Sequence, residues 1–396
     1  MTSTPLRING ERLMRRLMEL AEVGAIDGGG NCRLALTDAD RDGRDLVVKW
    51  MRELGLTITI DRIGNVVGTR SGTQDGPPVM MGSHIDTVRT GGKYDGNLGV
   101  LAGLEVIETL EEAGVVTGHP IAVAFFTNEE GARFAPDMMG SAVHQGALPL
   151  AEALATRGID GPTVGDELAR IGYAGDTEVG STRAAAYFEL HIEQGPVLER
   201  EGFEIGAVTG VQGISWTEIT LRGVSNHAGT TPMSMRTDAG YVAAEITAFA
   251  RRLARETGGT QVATVGHMTF GPNLVNVIPN HVLMTLDLRN TDEETLRRAE
   301  RAAFEFIDRS AEAEGVAVTR RALARFAPVD FDSAMIALVE ETARAQGLTV
   351  KRLPEAGTWR FQLSGPGRAE LGYDVSVAAV PPCPAPGADG TLPPGA

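Results

Sequence analysis

The sequence predicts an α/β fold: a mostly parallel-sheet α/β/α domain that carries an inserted ferredoxin-like (α+β) domain. Three observations predict it. Over the first 210 residues short apolar runs alternate with amphipathic helical stretches, the pattern of a sheet with helices on its faces. From 211 to 327 the order becomes strand, helix, strand, strand, helix, strand, that of a ferredoxin-like unit. The chain has 396 residues, more than one core ordinarily fills, so residues 1–210 and a return segment 328–396 are expected to form one domain and 211–327 the other.

Each element follows in order. Residues 10–23 place Leu13, Leu17 and Leu20 beside Met14, Met18 and Ala21 in adjoining apolar stripes, a first helix. Thr37 or Asp38 suits an N-cap; Leu46, Val47, Trp50, Met51 and Leu54 follow at helical spacing, and Gly55 can close this second helix. Residues 56–60 and 65–69 read as strands, 79–83 and 121–127 as buried strands around a helix over 98–110, and 184–190 as a further apolar run. In the inserted part 216–221 alternates, 238–255 and 293–313 are amphipathic helices, and 261–270, 281–288 and 316–325 are strands. The first domain resumes near Phe331. Residues 380–396 are rich in Pro, Gly and Ala without periodicity and are expected to be unstructured.

Composition narrows the function. The chain is 42% hydrophobic and 22% charged, which argues against wholesale disorder. A net charge of -16 argues against nucleic acid or an anionic membrane as partner, and leaves any carboxylate recognition to specific Arg, His or amide groups. Only Cys32 and Cys383 occur, which is no disulfide framework. The N-terminus lacks the apolar core of a secretion signal, and no stretch approaches the roughly 18 apolar residues of a membrane span. A cytoplasmic protein is expected.

Four segments concentrate metal-type ligands, each at the end of an expected strand, where open α/β sheets place their sites. GSHIDTV holds His84 and Asp86, which project to one face of an extended chain; His84 could bind a metal with Asp86 orienting its imidazole, or both could be turn residues. GGKYDGNLGVLAG sets Asp95 among glycines, close to an ion or in an ordinary Asp turn. FFTNEEGARF places Glu129 and Glu130 together after an apolar strand. Adjacent carboxylates repel without a cation, so one reads as a metal ligand and the other as a proton carrier, against a solvated acidic loop. YFELHIEQGPVLE adds His191 and Gln194; a lone His beside an apolar run is more often structural. Together, two His, an Asp and a Glu suit a pair of borderline divalent ions bridged by a carboxylate and a water.

In this order, GSHIDTVRTGGKYDGNLGVLAGLE, FTNEEGARF, LHIEQGPVLE, SNHAGTTPM, GPNLVNVIP and LDLRN resemble the hydantoinase/carbamoylase branch of the M20 metallopeptidase-like amidohydrolases, over about residues 10–355. The resemblance implies hydrolysis of N-carbamoyl-L-amino acids, with allantoate or β-ureidopropionate as alternative substrates. It implies that the inserted domain is a lid and dimerisation domain, and that each subunit of a homodimer holds two divalent ions (Zn, Mn, Co or Ni). It makes His84 and His191 ligands of one ion each, Asp95 the bridge between both ions, Glu130 a further ligand and Glu129 the general base. His227 would stabilise the oxyanion, reaching in from the partner subunit, while Gln194, Asn276 and Arg289 would hold the carboxylate of a ureido acid substrate. A peptidase reading is disfavoured by GARFAPDMMGS and by the Asn276 and Arg289 motifs.

One feature departs from that pattern. The family supplies a further metal-ligating His in a Gly-His-Asp-Ala type segment near the C-terminus, yet no histidine follows His281 here. The chain runs LPEAG and then TWRFQLSGPG, which suggests a shift of reading frame near Gly357. As written, the second metal site lacks a neutral nitrogen donor. The rival from another class is therefore a homologue that binds ligand without turnover.

Overall fold

The computed structural model describes residues 6–353 and the strand 375–380. The expectations about a frame shift near Gly357 and about the Pro-rich end lie outside the described residues. The chain divides into two compact units, one built from the residues up to Val208 together with Phe331–Leu353 and the last strand, the other from Thr209–Asp330.

In the first unit α1 (Gly10–Glu22) and α2 (Asp38–Glu53) start on side-chain caps, Asn9 accepting from the Arg12 N–H and Thr37 from that of Asp40. Then come β1 (Thr57–Ile60), β2 (Val66–Arg70), β3 (Val79–His84), α3 (Asn97–Glu112) and β4 (Ile121–Phe126). Three short helices, α4 (Met139–His144), α5 (Leu150–Ala155) and α6 (Val164–Ile171), lead to β5 (Ala186–Ile192), α7 (Val197–Glu201) and β6 (Ile205–Val208).

The second unit comprises β7 (Gly210–Val211), β8 (Gly213–Arg222), α8 (Ala239–Thr257), β9 (Val262–Thr264), β10 (Met268–Gly271), β11 (His281–Asn290), α9 (Glu293–Glu314), β12 (Ala317–Phe326) and β13 (Val329–Asp330). The chain then returns as α10 (Ser333–Ala345), β14 (Val350–Leu353) and β15 (Val375–Val380).

The sheet of the first unit runs β1-β2-β4-β3-β5-β15-β6-β14. It is mixed rather than mostly parallel. β3 lies parallel to β4 and β5, and β6 parallel to β15 and β14, but β1–β2, β2–β4 and β5–β15 are antiparallel. The β1–β2 pair is a hairpin on a short turn in which Asp61 accepts from the Ile63 and Asn65 N–H groups, a connection too short for a parallel crossover. What matters for function is the parallel trio β4-β3-β5, because it brings three strand ends to one edge. The start of α3 is pressed onto that edge: a Cβ on Gly99 would stand 2.6 Å from the Leu190 carbonyl oxygen and 2.9 Å from the Ser83 Cβ.

In the second unit the antiparallel sheet runs β10-β11-β8-β12, with β9 also on β11. Alternate residues of β11 are buried, and Val282, Met284, Leu286 and Leu288 pack with Ile219 and Leu221 against Val242 and Ile246 of α8 and Leu296 and Ile307 of α9. Each such side chain contributes roughly 1.5–3 kcal/mol by leaving water. The single strand expected over 261–270 is two pieces, β9 and β10. Between them His267 meets Thr285 of β11, its N–H on the Thr285 hydroxyl and its carbonyl on the Thr285 N–H, outside the regular ladder. Among the described residues, no helix is long and apolar enough to cross a membrane.

Candidate active site

His84 ends β3, Glu129 and Glu130 follow β4, and His191 lies near the end of β5, so the parallel trio delivers all four to one edge. Asp95 arrives from the loop before α3. At Gly96 the backbone is left-handed (φ +67°), and a Cβ there would sit 2.5 Å from the His84 ring, so only glycine lets this loop approach.

His84 and His191 are buried, 2% and 3% exposed. His84 Nδ1 lies 2.9 Å from the Asp86 carbonyl oxygen and His191 Nδ1 lies 3.1 Å from that of Ile192. A carbonyl only accepts, so both rings are assigned hydrogen on Nδ1 and a lone pair on Nε2. The two Nε2 atoms stand 3.9 and 3.1 Å from Asp95 Oδ1, a buried oxygen with no hydrogen bond. One donor atom from each of His84, Asp95 and His191 lies within 4.8 Å of the others. In that tautomer three acceptors converge, which is the donor set of a borderline divalent cation. The residues present therefore fit a metal ion.

Without an ion the surroundings favour a further proton on His84, which a metal would displace. Burial works against a charged His84, but Glu129, Asp86, Glu130 and Asp95 outweigh it and lift its pKa to about 10. Burial alone would raise Asp95, yet its contacts with His191, His84 and Gln194 hold it well below the usual carboxylate range. Burial pushes Glu129 up to about 8 and Glu130 up to about 7, with neighbouring carboxylates adding to both and His84 opposing. Glu129 approaches His84 Nε2 to 3.4 Å. Glu130 stands outside the three-residue cluster, and its carboxylate accepts from the Val88 N–H.

Asp86 works differently from the expectation. It touches the imidazole through its main-chain carbonyl, while its carboxylate accepts from the N–H groups of Glu129 and Glu130, each at 3.2 Å. Its side chain thus fixes the acidic loop as well as standing 3.8 Å from His84 Nδ1. Asn128, just before that loop, is left-handed (φ 54°) and donates to the Phe134 and Pro136 carbonyls. Gln194, exposed, donates to Asp95 Oδ2.

The remaining expected residues lie in the second unit. His227 and Asn276 are exposed and adjacent, their segments joined by a bridge between His227 and Val277 and by the Ala228 N–H on the Asn276 carbonyl. That ladder extends beyond the His281 end of β11, whereas Arg289 sits at the opposite end. Arg289 lies eight steps along the strand from His281, roughly 26 Å at 3.3 Å per residue. Within one chain, then, His227 and Asn276 come together and Arg289 does not join them. Arg289 is held by Asp287, Nη2 to Oδ2 at 3.0 Å, and lies over the Trp216 ring at 5.5 Å.

Sequence reasoning missed several participants. Glu189, buried two residues before His191, accepts from the Ser83 hydroxyl at 2.6 Å and the Tyr187 hydroxyl at 2.7 Å, and its charge helps to raise Glu129. Arg33 and Asn97 lie behind the cluster. An Arg inside the otherwise apolar run CRLAL was the one signal for the first of these; the others had none.

Two imidazoles at the ends of parallel strands and a loop carboxylate, beside a desolvated glutamate, make an arrangement suited to metal-dependent hydrolysis. The model of peptidase family M20/M25/M40 matches residues 80–368, and the chain belongs to this family. It is 45% identical over 346 residues, 86% of this chain and 82% of the other, to an N-carbamoyl-L-amino-acid amidohydrolase of Rhizobium meliloti. It is 44% identical over 327 residues, covering 81% and 80% of the two chains, to that of Geobacillus stearothermophilus. Its fold is similar to the crystal structure of a hydantoinase/carbamoylase family amidase from Burkholderia vietnamiensis, with TM-score 0.82, 44% identity and coverage of 90% and 86%.

Proposed function

We propose that this protein is a metal-dependent amidohydrolase that converts N-carbamoyl-L-amino acids to the L-amino acid, ammonia and carbon dioxide. The observation that carries the reading is the convergence of His84 Nε2, His191 Nε2 and the orphaned Asp95 Oδ1 beside Glu129, in a chain so similar to enzymes of that name. When bound, divalent ions polarise the scissile carbonyl and make a coordinated water acidic. Glu129 accepts the proton of the attacking water and returns it to the leaving nitrogen; its burial suits it to hold a proton near neutral pH. Asp86 keeps Glu129 in reach by its grip on the loop backbone. His227 donates to the developing oxyanion, and Gln194, Asn276 and Arg289 bind the substrate carboxylate.

The distance along β11 supports a homodimer. A carbamoyl amino acid is far shorter than the roughly 26 Å that separates Arg289 from the His227 end of the sheet, so a second copy supplies one of the two sets. For the metal, His84, Asp95 and His191 would hold one ion. Asp95 and Glu130 would hold a second, without the histidine that the family resemblance implies. We place the enzyme in the cytoplasm.

The test is ammonia release by the full chain after loading with Mn²⁺ or Zn²⁺, across N-carbamoyl-L-methionine, allantoate and 3-ureidopropionate. Carbamoyl-methionine is expected to be turned over best; faster allantoate turnover would replace the substrate assignment. One observation favours a second reading, a binding protein without turnover: no histidine follows His281. Saturable binding of carbamoyl amino acids without ammonia would select it.

A further inference from the structure

Arg33 is fully buried, and among the described residues its guanidinium forms no ion pair. A buried cation without a counter-charge is costly unless its donors are satisfied. Arg33 satisfies them on four oxygens of three segments. Nε donates to the Ile85 carbonyl at 2.7 Å, Nη1 to those of Leu20 at 3.1 Å and Val23 at 2.7 Å, and Nη2 to Asn97 Oδ1 at 2.9 Å. Its main chain is tied to Thr87, N–H to hydroxyl at 2.7 Å and carbonyl to the Thr87 N–H at 2.9 Å.

Two of these anchors matter for the cluster. Ile85 lies between His84 and Asp86. Asn97, in turn, donates from Nδ2 to the Lys93 carbonyl at 3.1 Å and from its main-chain N–H to that of Asp95 at 2.7 Å. One planar fork thus spans the segment that carries His84 and the loop that carries Asp95. A flexible ammonium could not reach both acceptors in the same rigid geometry.

We infer that Arg33 is a positioning residue for the metal cluster, its guanidinium and Asn97 together fixing the spacing between His84 and Asp95. The inference rests on the reading of His84, Asp95 and His191 as metal ligands. Outer partners that orient ligands typically contribute 10–100-fold in metal affinity.

The experiment is titration of chelator-treated full-length protein with Co²⁺, followed by its visible absorption, paired with a urea midpoint of the same preparation without metal. The variants are Arg33→Lys, Asn97→Ala and Asn97→Asp, with Arg12→Lys as a control for a buried arginine that binds Glu105 away from the cluster. We expect Arg33→Lys and Asn97→Ala to weaken Co²⁺ roughly 10–100-fold. Asn97→Asp keeps an acceptor for Arg33 and should recover part of the loss, while Arg12→Lys lowers the urea midpoint at unchanged affinity. Arg33→Lys and Asn97→Ala that lower the midpoint but bind Co²⁺ as the parent does would overturn the inference. If Arg33→Lys does not fold, Asn97→Ala decides alone. A parent protein that binds no Co²⁺ would instead refute the metal reading beneath it.

Discussion

The two regions that carry the candidate chemistry are built in opposite ways. In the first unit, His84 and His191 are buried, clamped at Nδ1 by main-chain carbonyls, and the carboxylates around them have shifted pKa values. In the second, His227 and Asn276 are exposed, and Arg289 is already neutralised by Asp287. The contrast teaches which tasks need prior assembly. Holding a cation and tuning a base depend on low dielectric and fixed geometry, so strand ends and buried hydrogen bonds build them in advance. Groups that recognise a soluble ligand can remain solvated until it arrives, at a smaller cost in folding free energy.

If the contrast holds, substitutions in the two regions separate cleanly. The largest effect is expected for Glu129→Gln, which should lower kcat by about 10²–10⁴-fold while the bound metal is unchanged. Ammonia release and elemental analysis on one preparation check it, and near-normal kcat would remove Glu129 as the base. Arg289→Ala should cost roughly ten- to hundredfold in kcat/KM, matching about 1.5–3 kcal/mol for a hydrogen bond to a charged group, again with metal retained. Loss of metal in that variant would break the division between the regions.

A pH series sharpens the comparison further. His84 is raised from 6.5 to about 10 and Glu130 from 4.5 to about 7, so each of these ligand-type groups holds a proton that an ion must displace, while Glu129 beside them is raised from 4.5 to about 8. Metal affinity should therefore climb as pH rises from about 6 to 9. For the chelator-treated protein the sign follows from the same shifts. The folded state binds more protons than the unfolded one between the ordinary and the raised values, so stability is present below pH 4.5 and falls as pH rises toward 8. A flat affinity profile would mean that these groups do not surround the ion. The smallest effect is at the second unit's own scaffold. Asp238 caps α8 by accepting from the Gly240 and Tyr241 N–H groups, and Asp238→Ala should cost about 1 kcal/mol in urea unfolding with metal content unchanged.

How much of this was legible in the sequence also differs by region. Apolar runs announced β3, β4 and β5, and the ligand-type residues at their ends followed directly, because strand period and strand end are local properties. Pairing partners are not local, so the antiparallel edge formed by β1 and β2 could not be read off, and the sheet is mixed. Helices α4, α5 and α6, of six to eight residues, are too short to display a 3.6-residue period. The two-residue spacing puts the Asp86 carboxylate near His84, at 3.8 Å from Nδ1, but its hydrogen-bond donors, the N–H groups of Glu129 and Glu130, are 43 and 44 residues distant and leave no local signal. Arg33 was invisible for a similar reason: nothing in CRLAL tells that its guanidinium faces four carbonyl-type oxygens inside the fold.

The central claim is that His84, Asp95 and His191 form one complete divalent-metal site. It is tested most directly by metal content per chain after Mn²⁺ or Zn²⁺ loading and desalting, for the parent and for His191→Ala. The account predicts one firmly held ion per parent chain and its loss in His191→Ala. No ion in the parent, or equal content in both proteins, would contradict it.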